Sequence, residues 1–541
     1  MPSLVPLQLA TLAAAVSLLV IPLLWRLAPQ LGLVDLPDPR KVHTSPVPRV
    51  GGWGITLGTL IPILLWLRLD PMLQSFVIGT LVLFLFGIWD DRKNIGHWTK
   101  FLGQIIAGAS VVYYGDLYIS RVPFLDGYYL DPALGKPLTV FALVGVINAI
   151  NHSDGLDGLA AGESMLTLMG LTILGHLADS TLLIGVALAT MGGIFGFLRY
   201  NSHPARVFMG DSGSQVLGFT LGFLTIYLTQ NADPALSAAL PLLLLGVPIA
   251  DILGVLYQRI RSRANWFKAS RNHIHHRLLD LGLSHYQSVI VIYSVHAALV
   301  LTAVLMRYEP DTSVLAVYLL VIVGFIGSLI IAERRGWSGP AWMAASLQGL
   351  RSNRLLRDSS RLLIAVAAPA FMLLGSLWVA RIPRDIGLVA ALLAAVLAAE
   401  LTFAHAVRSL VLRVTVYVAA IASAYLVISY PGIAAQRSVE IAAIATVAIL
   451  VAAIGAYVRF TPAGKTFGTT PTDYLIVFTL IALMMFAGID SSSRTLVEIV
   501  VSAVVLLYGC EVLIGHTVER WNGFNVATLA TLTIMAIRGL L

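Results

Sequence analysis

With a single cysteine, Cys510, in 541 residues, the chain can form no internal disulfide, and a lone thiol inside an apolar run reads as packing. Charge is scarce too: 12% of the residues are Asp, Glu, Lys or Arg, against roughly 25% in an average soluble domain. That scarcity excludes a soluble fold. Hydrophobic residues make up 58% of the chain, in runs near 20 residues that recur from end to end. A helix needs about that length to cross a hydrocarbon core of roughly 30 Å. No Lys or Arg precedes Arg26, so residues 6–28 lack the basic start of a cleavable signal and read as a retained first span. No internal repeat or low-complexity tract stands out, and nothing implicates nucleic acid as a partner.

The expected fold is therefore an all-α polytopic membrane protein. Spans are read near 6–28, 51–69, 71–90, 100–116, 137–150, 160–179, 181–199, 212–229, 236–258, 287–308 and 311–332. Seven more apolar runs follow near 362–380, 385–404, 409–430, 436–458, 471–489, 494–515 and 523–540. Between the two sets lies an arginine-rich stretch. The expected organisation is a membrane domain over 1–332, a basic linker over 333–361 and a second membrane module of open role over 362–541. Arginines and lysines gather after the first, seventh, ninth and eleventh spans, among them Arg40, Lys41, Arg49, Arg206, Arg259, Arg271 and Arg334. By the positive-inside rule these loops face the cytoplasm and the N-terminus faces outward.

Within that frame, polar clusters stand where membrane helices end. Asp90-Asp91 closes the third apolar run, Asn148 to Gly158 follows the fifth, and Phe208-Met209-Gly210-Asp211-Ser212-Gly213 opens the eighth. Parity puts all of them on one face, and ionisable groups at a bilayer edge are expensive enough to mark function. Acidic oxygens beside a basic surface suit a hard divalent cation holding a phosphorylated substrate. Successive helical carboxylates diverge, so Asp90 and Asp91 suit different partners; a solvated helix end is the plain alternative. Lys100 either neutralises an acid or holds a phosphate, unless it only snorkels. Asn148, Asn151, Asp154 and Asp157 recur every three residues, and a continuing helix would align them on one stripe. Asp211 with Ser212 also reads as an ordinary helix start. Phe208 and Asn201, just upstream, offer a stacking surface and a hydrogen-bond donor to a nucleobase. In Arg271-Asn272-His273-Ile274-His275-His276-Arg277 the companions of the histidines are basic, which favours an anion clamp over a transition-metal site.

Taken together, Asp90-Asp91, Asn148-x-x-Asn151-x-x-Asp154-Gly155-Leu156-Asp157-Gly158, Phe208 to Ser214 and His273-Ile274-His275-His276 resemble the motifs of the polyprenyl-phosphate N-acetylhexosamine-1-phosphate transferases, in that family's order. Pro48-Arg49-Val50-Gly51-Gly52 is similar to its early Pro-x-x-Gly-Gly segment. The His-Ile-His-His form resembles the bacterial branch acting on UDP-N-acetylglucosamine and undecaprenyl phosphate. The resemblance stops near residue 332, and the last third departs from the family pattern. It implies a Mg²⁺-dependent transferase of the cytoplasmic membrane, with Mn²⁺ as a substitute ion, using a UDP-N-acetylhexosamine and undecaprenyl phosphate. It assigns Mg²⁺ to Asn151 and Asp211, and catalytic work to Asp90, Asp91, Asp154, Asp157 and Asp211. Lys41, Lys100, Asn148, Asn201, Phe208, Arg271, His273, His275 and His276 are assigned to substrate. Direct attack and a phospho-aspartate route through Asp211 both stay open, as do the sugar, the pathway and a homodimer. A carrier would also place polar groups in a many-helix bundle, but near mid-membrane rather than at one edge.

Overall fold

The computed structural model describes residues 5–37, 46–124, 128–263, 272–337, 354–403, 410–430, 436–461, 471–489, 494–516 and 521–541. Helices dominate, as the apolar runs require: backbone groups inside a bilayer must be satisfied within their own segment. Among the described residues, twelve helices are long and apolar enough to cross a membrane. The chain divides into two compact units, one of Met1–Gly339 with Thr470–Ala482, the other of Pro340–Thr469 with Leu483–Leu541.

The first unit carries α1 (Val5–Leu31), α2 (Gly51–Trp66), α3 (Pro71–Lys93), α4 (His97–Ala109), α5 (Pro132–Ser153), α6 (Leu159–Leu177), α7 (Thr181–Asn201), α8 (Asp211–Tyr227), α9 (Leu240–Leu244), α10 (Gly246–Arg261), α11 (Ile274–Asp280), α12 (His285–Leu305) and α13 (Asp311–Arg334). One small antiparallel ladder joins β1 (Val34–Asp35) to β2 (Val47–Pro48), with Asp35 opposite Val47. Helices α1, α2 and α7 form one packed group, and α3 and α5 flank α8. Close approach of small residues drives such packing, because lipid removes the hydrophobic incentive between helices. A Cβ on Gly192 would lie 2.3 Å from the Ala10 carbonyl oxygen, so α1 and α7 can meet at this depth only through glycine.

Two sequence expectations are corrected here. The ninth span, read as one helix over 236–258, is broken at Leu245 into α9 and α10. Pro248 has no N–H to give to the carbonyl of Leu244, four residues back. The Thr167 hydroxyl donates to that oxygen instead, at 2.8 Å. The stripe of Asn148, Asn151, Asp154 and Asp157 is also interrupted, because α5 ends at Ser153 and Asp154 leaves the helical conformation (φ −77°, ψ 57°). Only the two asparagines share a helix; the two aspartates sit in the turn before α6.

The second unit contains α14 (Arg354–Leu377), α15 (Arg384–Phe403), α16 (Leu410–Ser429), α17 (Gln436–Phe460), α19 (Arg494–His516) and α20 (Gly523–Leu540), while α18 (Pro471–Ile489) is divided at Ala482. Its core is apolar, built around residues such as Ile364, Phe371, Val416, Leu506 and Met535. Among the described residues, two sets of polar contacts brace its helices. The Arg538 guanidinium donates to the carbonyls of Ser376, Leu377 and Val379, each at 2.8 Å, closing the end of α14. Glu511 pairs with Arg413 at 2.9 Å and accepts from the Tyr417 hydroxyl.

Candidate active site

Acidic and basic side chains converge at the end of the first unit where α3 finishes and α8 begins. Asp90 and Asp91, both buried, lie in the last turn of α3, and their carboxylates diverge. Asp90 turns to Lys100 on α4, with Oδ2 2.6 Å from Nζ. The same ammonium lies 2.8 Å from Asp211 Oδ2, so one lysine bridges two carboxylates from distant parts of the chain. Asp91 turns to the start of α8, where its two oxygens accept the backbone N–H groups of Asp211 (2.8 Å) and Ser212 (3.1 Å). That contact satisfies two of the donors every helix start leaves open. Gly210 makes it possible. Its φ of +72° is a conformation few residues but glycine adopt, and a Cβ there would meet Asp91 Oδ2 at 2.6 Å.

From α5, Asn151 completes the cluster: its Nδ2 donates to Asp211 Oδ1 at 2.6 Å and to Ser214 Oγ at 2.7 Å. The Pro48-to-Gly52 segment holds the cluster from the other side. Phe208 N donates to the Pro48 carbonyl (2.8 Å), and Gly51 and Gly52 N–H groups donate to the carbonyls of Phe208 (2.9 Å) and Met209 (2.8 Å). This pairing fixes the segment that presents Asp211 and sets Arg49, ion-paired with Asp35, beside it.

These groups open onto a cavity of about 640 Å³. Ten of the residues singled out in the sequence line it: Asp90, Asp91, Lys100, Asn151, Asp154, Asp157, Asn201, Phe208, Asp211 and His276. Asp154 carries a raised pKa, pushed up to about 7 by burial and then by the nearby charges of Asp211, Asp91 and Asp157. Asn201 lines the wall with both ends of its amide engaged by backbone groups. Its Oδ1 accepts from Gly158 N (2.8 Å) and its Nδ2 donates to the Val207 carbonyl (2.9 Å).

Three residues that the resemblance assigns to substrate have their side chains turned to protein groups. Asn148 turns into the helix packing and donates to Gln104 Oε1 at 2.7 Å and to the Val144 carbonyl at 2.8 Å. His273 is buried against Asp251, whose carboxylate takes its Nδ1 and the Ile274 N–H, each at 2.7 Å. His275 is wedged against Gly155, where an added Cβ would sit 2.2 Å from Nε2; burial, then His276, lowers its pKa to about 3. Of the three histidines, His276 alone lines the cavity. Lys41 and Arg271 fall outside the described residues.

Sequence reasoning passed over Asp35, Arg49 as a site residue, His203 and Asp251. Asp251 had a usable signal, a carboxylate inside an apolar run. Arg49 stands among the basic loop residues and at a variable position of the Pro-x-x-Gly-Gly segment, and nothing local distinguishes His203.

The model of "Glycosyl transferase family 4" matches residues 73–229, which hold Asp90, Lys100, Asn151 and Asp211. A Bacillus subtilis protein named "Probable undecaprenyl-phosphate N-acetylglucosaminyl 1-phosphate transferase" is 34% identical over 321 residues, covering 59% of this chain and 89% of its own. A "Decaprenyl-phosphate N-acetylglucosaminephosphotransferase" of Mycobacterium tuberculosis is 34% identical, covering 57% of this chain and 85% of its own. An Escherichia coli "Undecaprenyl-phosphate alpha-N-acetylglucosaminyl 1-phosphate transferase" is 29% identical, covering 61% and 91%. Relatives matched along most of their length, with the family model lying over the acidic cluster, establish that this chain belongs to glycosyl transferase family 4.

Proposed function

We propose that the first unit transfers N-acetylglucosamine 1-phosphate from its UDP-sugar to undecaprenyl phosphate, releasing UMP. The lipid-diphospho-sugar so formed begins a cell-surface polysaccharide. One observation carries the reading: Asp90 and Asp211, from two distant segments, meet around the Lys100 ammonium in one cavity at a helix-end layer, with Asp91 holding the backbone that presents Asp211. The names of the matched relatives support the same reaction. The arginine-rich loops support placing this layer on the cytoplasmic side of the inner membrane, with the N-terminus outside.

In this reaction an oxygen of the lipid phosphate attacks the sugar-linked phosphorus. The bond from that phosphorus to the bridging oxygen breaks, and UMP leaves with the electron pair. A phosphate monoester has a second pKa near 6, so the acceptor is mostly dianionic at neutral pH and no residue must first remove a proton. The obstacle is bringing two anions together, which calls for charge neutralisation and alignment. Lys100, Arg49 and His276 line the cavity and supply cationic or hydrogen-bond donor groups there. Asp91 acts through α8, holding the Asp211 backbone in place. A phospho-aspartate route through Asp211 would conflict with giving that carboxylate to a cation, which favours direct attack.

The donor set also fits a hard divalent cation. Its ligands are carboxylate and amide oxygens, and Asp90 Oδ1 is buried without a hydrogen-bond partner. Asn151 and Asp211 would hold Mg²⁺, or Mn²⁺ in its stead, beside Asp90. When bound, the ion would neutralise the pyrophosphate oxygens of the donor.

The test is direct. Purified full-length protein in detergent, given UDP-N-acetylglucosamine, undecaprenyl phosphate and Mg²⁺, is expected to release UMP and form lipid-linked product in equal amounts by mass spectrometry. Failure with UDP-N-acetylglucosamine and with other UDP-N-acetylhexosamines would overturn the proposal.

A further inference from the structure

Asp157 lines the cavity, yet its carboxylate is turned to the loop beside it. Oδ2 accepts from His203 Nδ1 at 2.6 Å and from Ala205 N at 3.0 Å. The loop over 202–206 places His203, Pro204 and Ala205 in the cavity wall. Behind it stands the start of α12. The His285 ring stacks on the His203 ring, with centroids 3.9 Å apart and planes 18° from parallel, and its Nε2 lies 3.2 Å from the Asp157 carbonyl oxygen. The next residue, Tyr286, donates its hydroxyl to the His203 carbonyl at 2.9 Å. Both ends of the Asp157–His203 contact are thus gripped by two consecutive residues of another helix.

Asp157, His203 and His285 bring ligand atoms close enough to suggest a metal site. Ring geometry argues against it. An imidazole lone pair lies in the ring plane, and zinc ligands must converge on one point about 2.0–2.1 Å from each nitrogen. Two nearly parallel rings stacked face to face send their lone pairs side by side. The bond to the Asp157 carbonyl also requires a proton on His285 Nε2, which leaves that nitrogen no lone pair for a metal.

We infer that His285 and Tyr286 are positioning residues that clamp the 202–206 loop and Asp157 into the wall receiving the donor nucleotide. The clamp rests on the transferase reading of this cavity. It acts before chemistry, on the free energy of ordering the wall, so its loss falls on donor binding rather than on the reacting atoms.

The experiment uses full-length protein in detergent with the variants H285A, H285F and Y286F, and measures kcat, the KM of each substrate and the melting temperature. H285A is expected to raise the KM for UDP-N-acetylglucosamine about tenfold, with kcat and the KM for undecaprenyl phosphate within about twofold. H285F keeps the ring stack but loses the bond to Asp157, and is expected to fall between wild type and H285A; Y286F is expected to raise donor KM about threefold. An unchanged donor KM in H285A, beside an active wild type, overturns the clamp alone. So does a fall in melting temperature with both KM values moving together, which marks a purely structural role. A wild type inactive with every UDP-sugar overturns the transferase reading and the clamp's donor role with it.

Discussion

Asp91 holds Asp211 by its backbone rather than by its charge: a carboxylate from the end of one helix accepts the N–H that opens another, at 2.8 Å. The two acids are 120 positions apart in the chain. This contact makes one of them a support for the other. D91A is expected to lower stability by about 1 kcal/mol, the usual value of a helix cap. Turnover is expected to fall about 100-fold, because a small displacement of a reacting constellation is costly. D91N keeps one acceptor oxygen and is expected to lie between the two. Melting curves and single-turnover rates on the three proteins check this order; equal losses for D91N and D91A would mean that the charge itself matters.

Lys100 occupies the ground a cation would contest, since it already neutralises Asp90 and Asp211. K100Q is therefore expected to lower kcat while reducing the half-saturating Mg²⁺ concentration about two- to tenfold, as the carboxylates lose their resident positive charge. A Mg²⁺ titration of wild type and K100Q separates the two effects. A higher Mg²⁺ requirement in the variant would contradict the competition.

D211N should nearly abolish turnover, and the loss should not be recovered at saturating Mg²⁺. In wild type, chelation with EDTA is expected to stop turnover reversibly, with recovery on adding Mg²⁺ or Mn²⁺. Activity of D211N close to wild type would remove Asp211 from the cation site.

Gly210 tests the same junction sterically. G210A places a methyl group against the Asp91 carboxylate in a backbone region all but reserved for glycine, at a cost of about 1–3 kcal/mol. A lowered melting temperature with turnover reduced to the level of D91A is expected. A stable and fully active G210A would show that the α8 start can move without consequence.

Two groups outside the membrane spans give pH signatures of opposite sign. His275, whose pKa falls from 6.5 to about 3, is neutral when folded, so its contribution to stability is present above pH 6.5 and is lost as pH falls toward 3. Asp154, raised from 3.8 to about 7, contributes stability that is present below pH 3.8 and is lost as pH rises toward 7. The slopes oppose each other, so single variants isolate each. Between pH 4 and 7, H275N is expected to weaken the acid-side loss of melting temperature, and D154N the loss on raising pH. Parallel curves for variant and wild type would refute the corresponding shift.

How much of this was legible depends on the kind of signal. Hydropathy is a local sum, so most spans could be placed to within a few residues without knowing any neighbour, although α14 begins at Arg354, eight residues before the run read from 362. It failed at Leu245, where Pro248 breaks a run that still looks continuous in composition. Asp90, Asp91, Lys100 and Asp211 were legible because charge at a membrane edge is costly and stands out, and Asn151 because it stands in register with the polar groups around it. Asn148 and His273 were equally conspicuous, yet they face Gln104 and Asp251, since a polar group buried between helices needs a partner as much as a ligand does. His203 and His285 gave no warning at all, being two ordinary interfacial histidines until the fold stacks them.

The sequence by itself determined the membrane-embedded helical class and the layer at which polar groups gather, because the free energy of transfer into lipid is read off each segment separately. Only the tertiary structure decided which of those groups look into the cavity and which bind their neighbours. Side-chain direction is set by where α5 stops, by a glycine that lets Asp91 reach α8, and by contacts between residues more than a hundred positions apart. No local pattern in the chain encodes those.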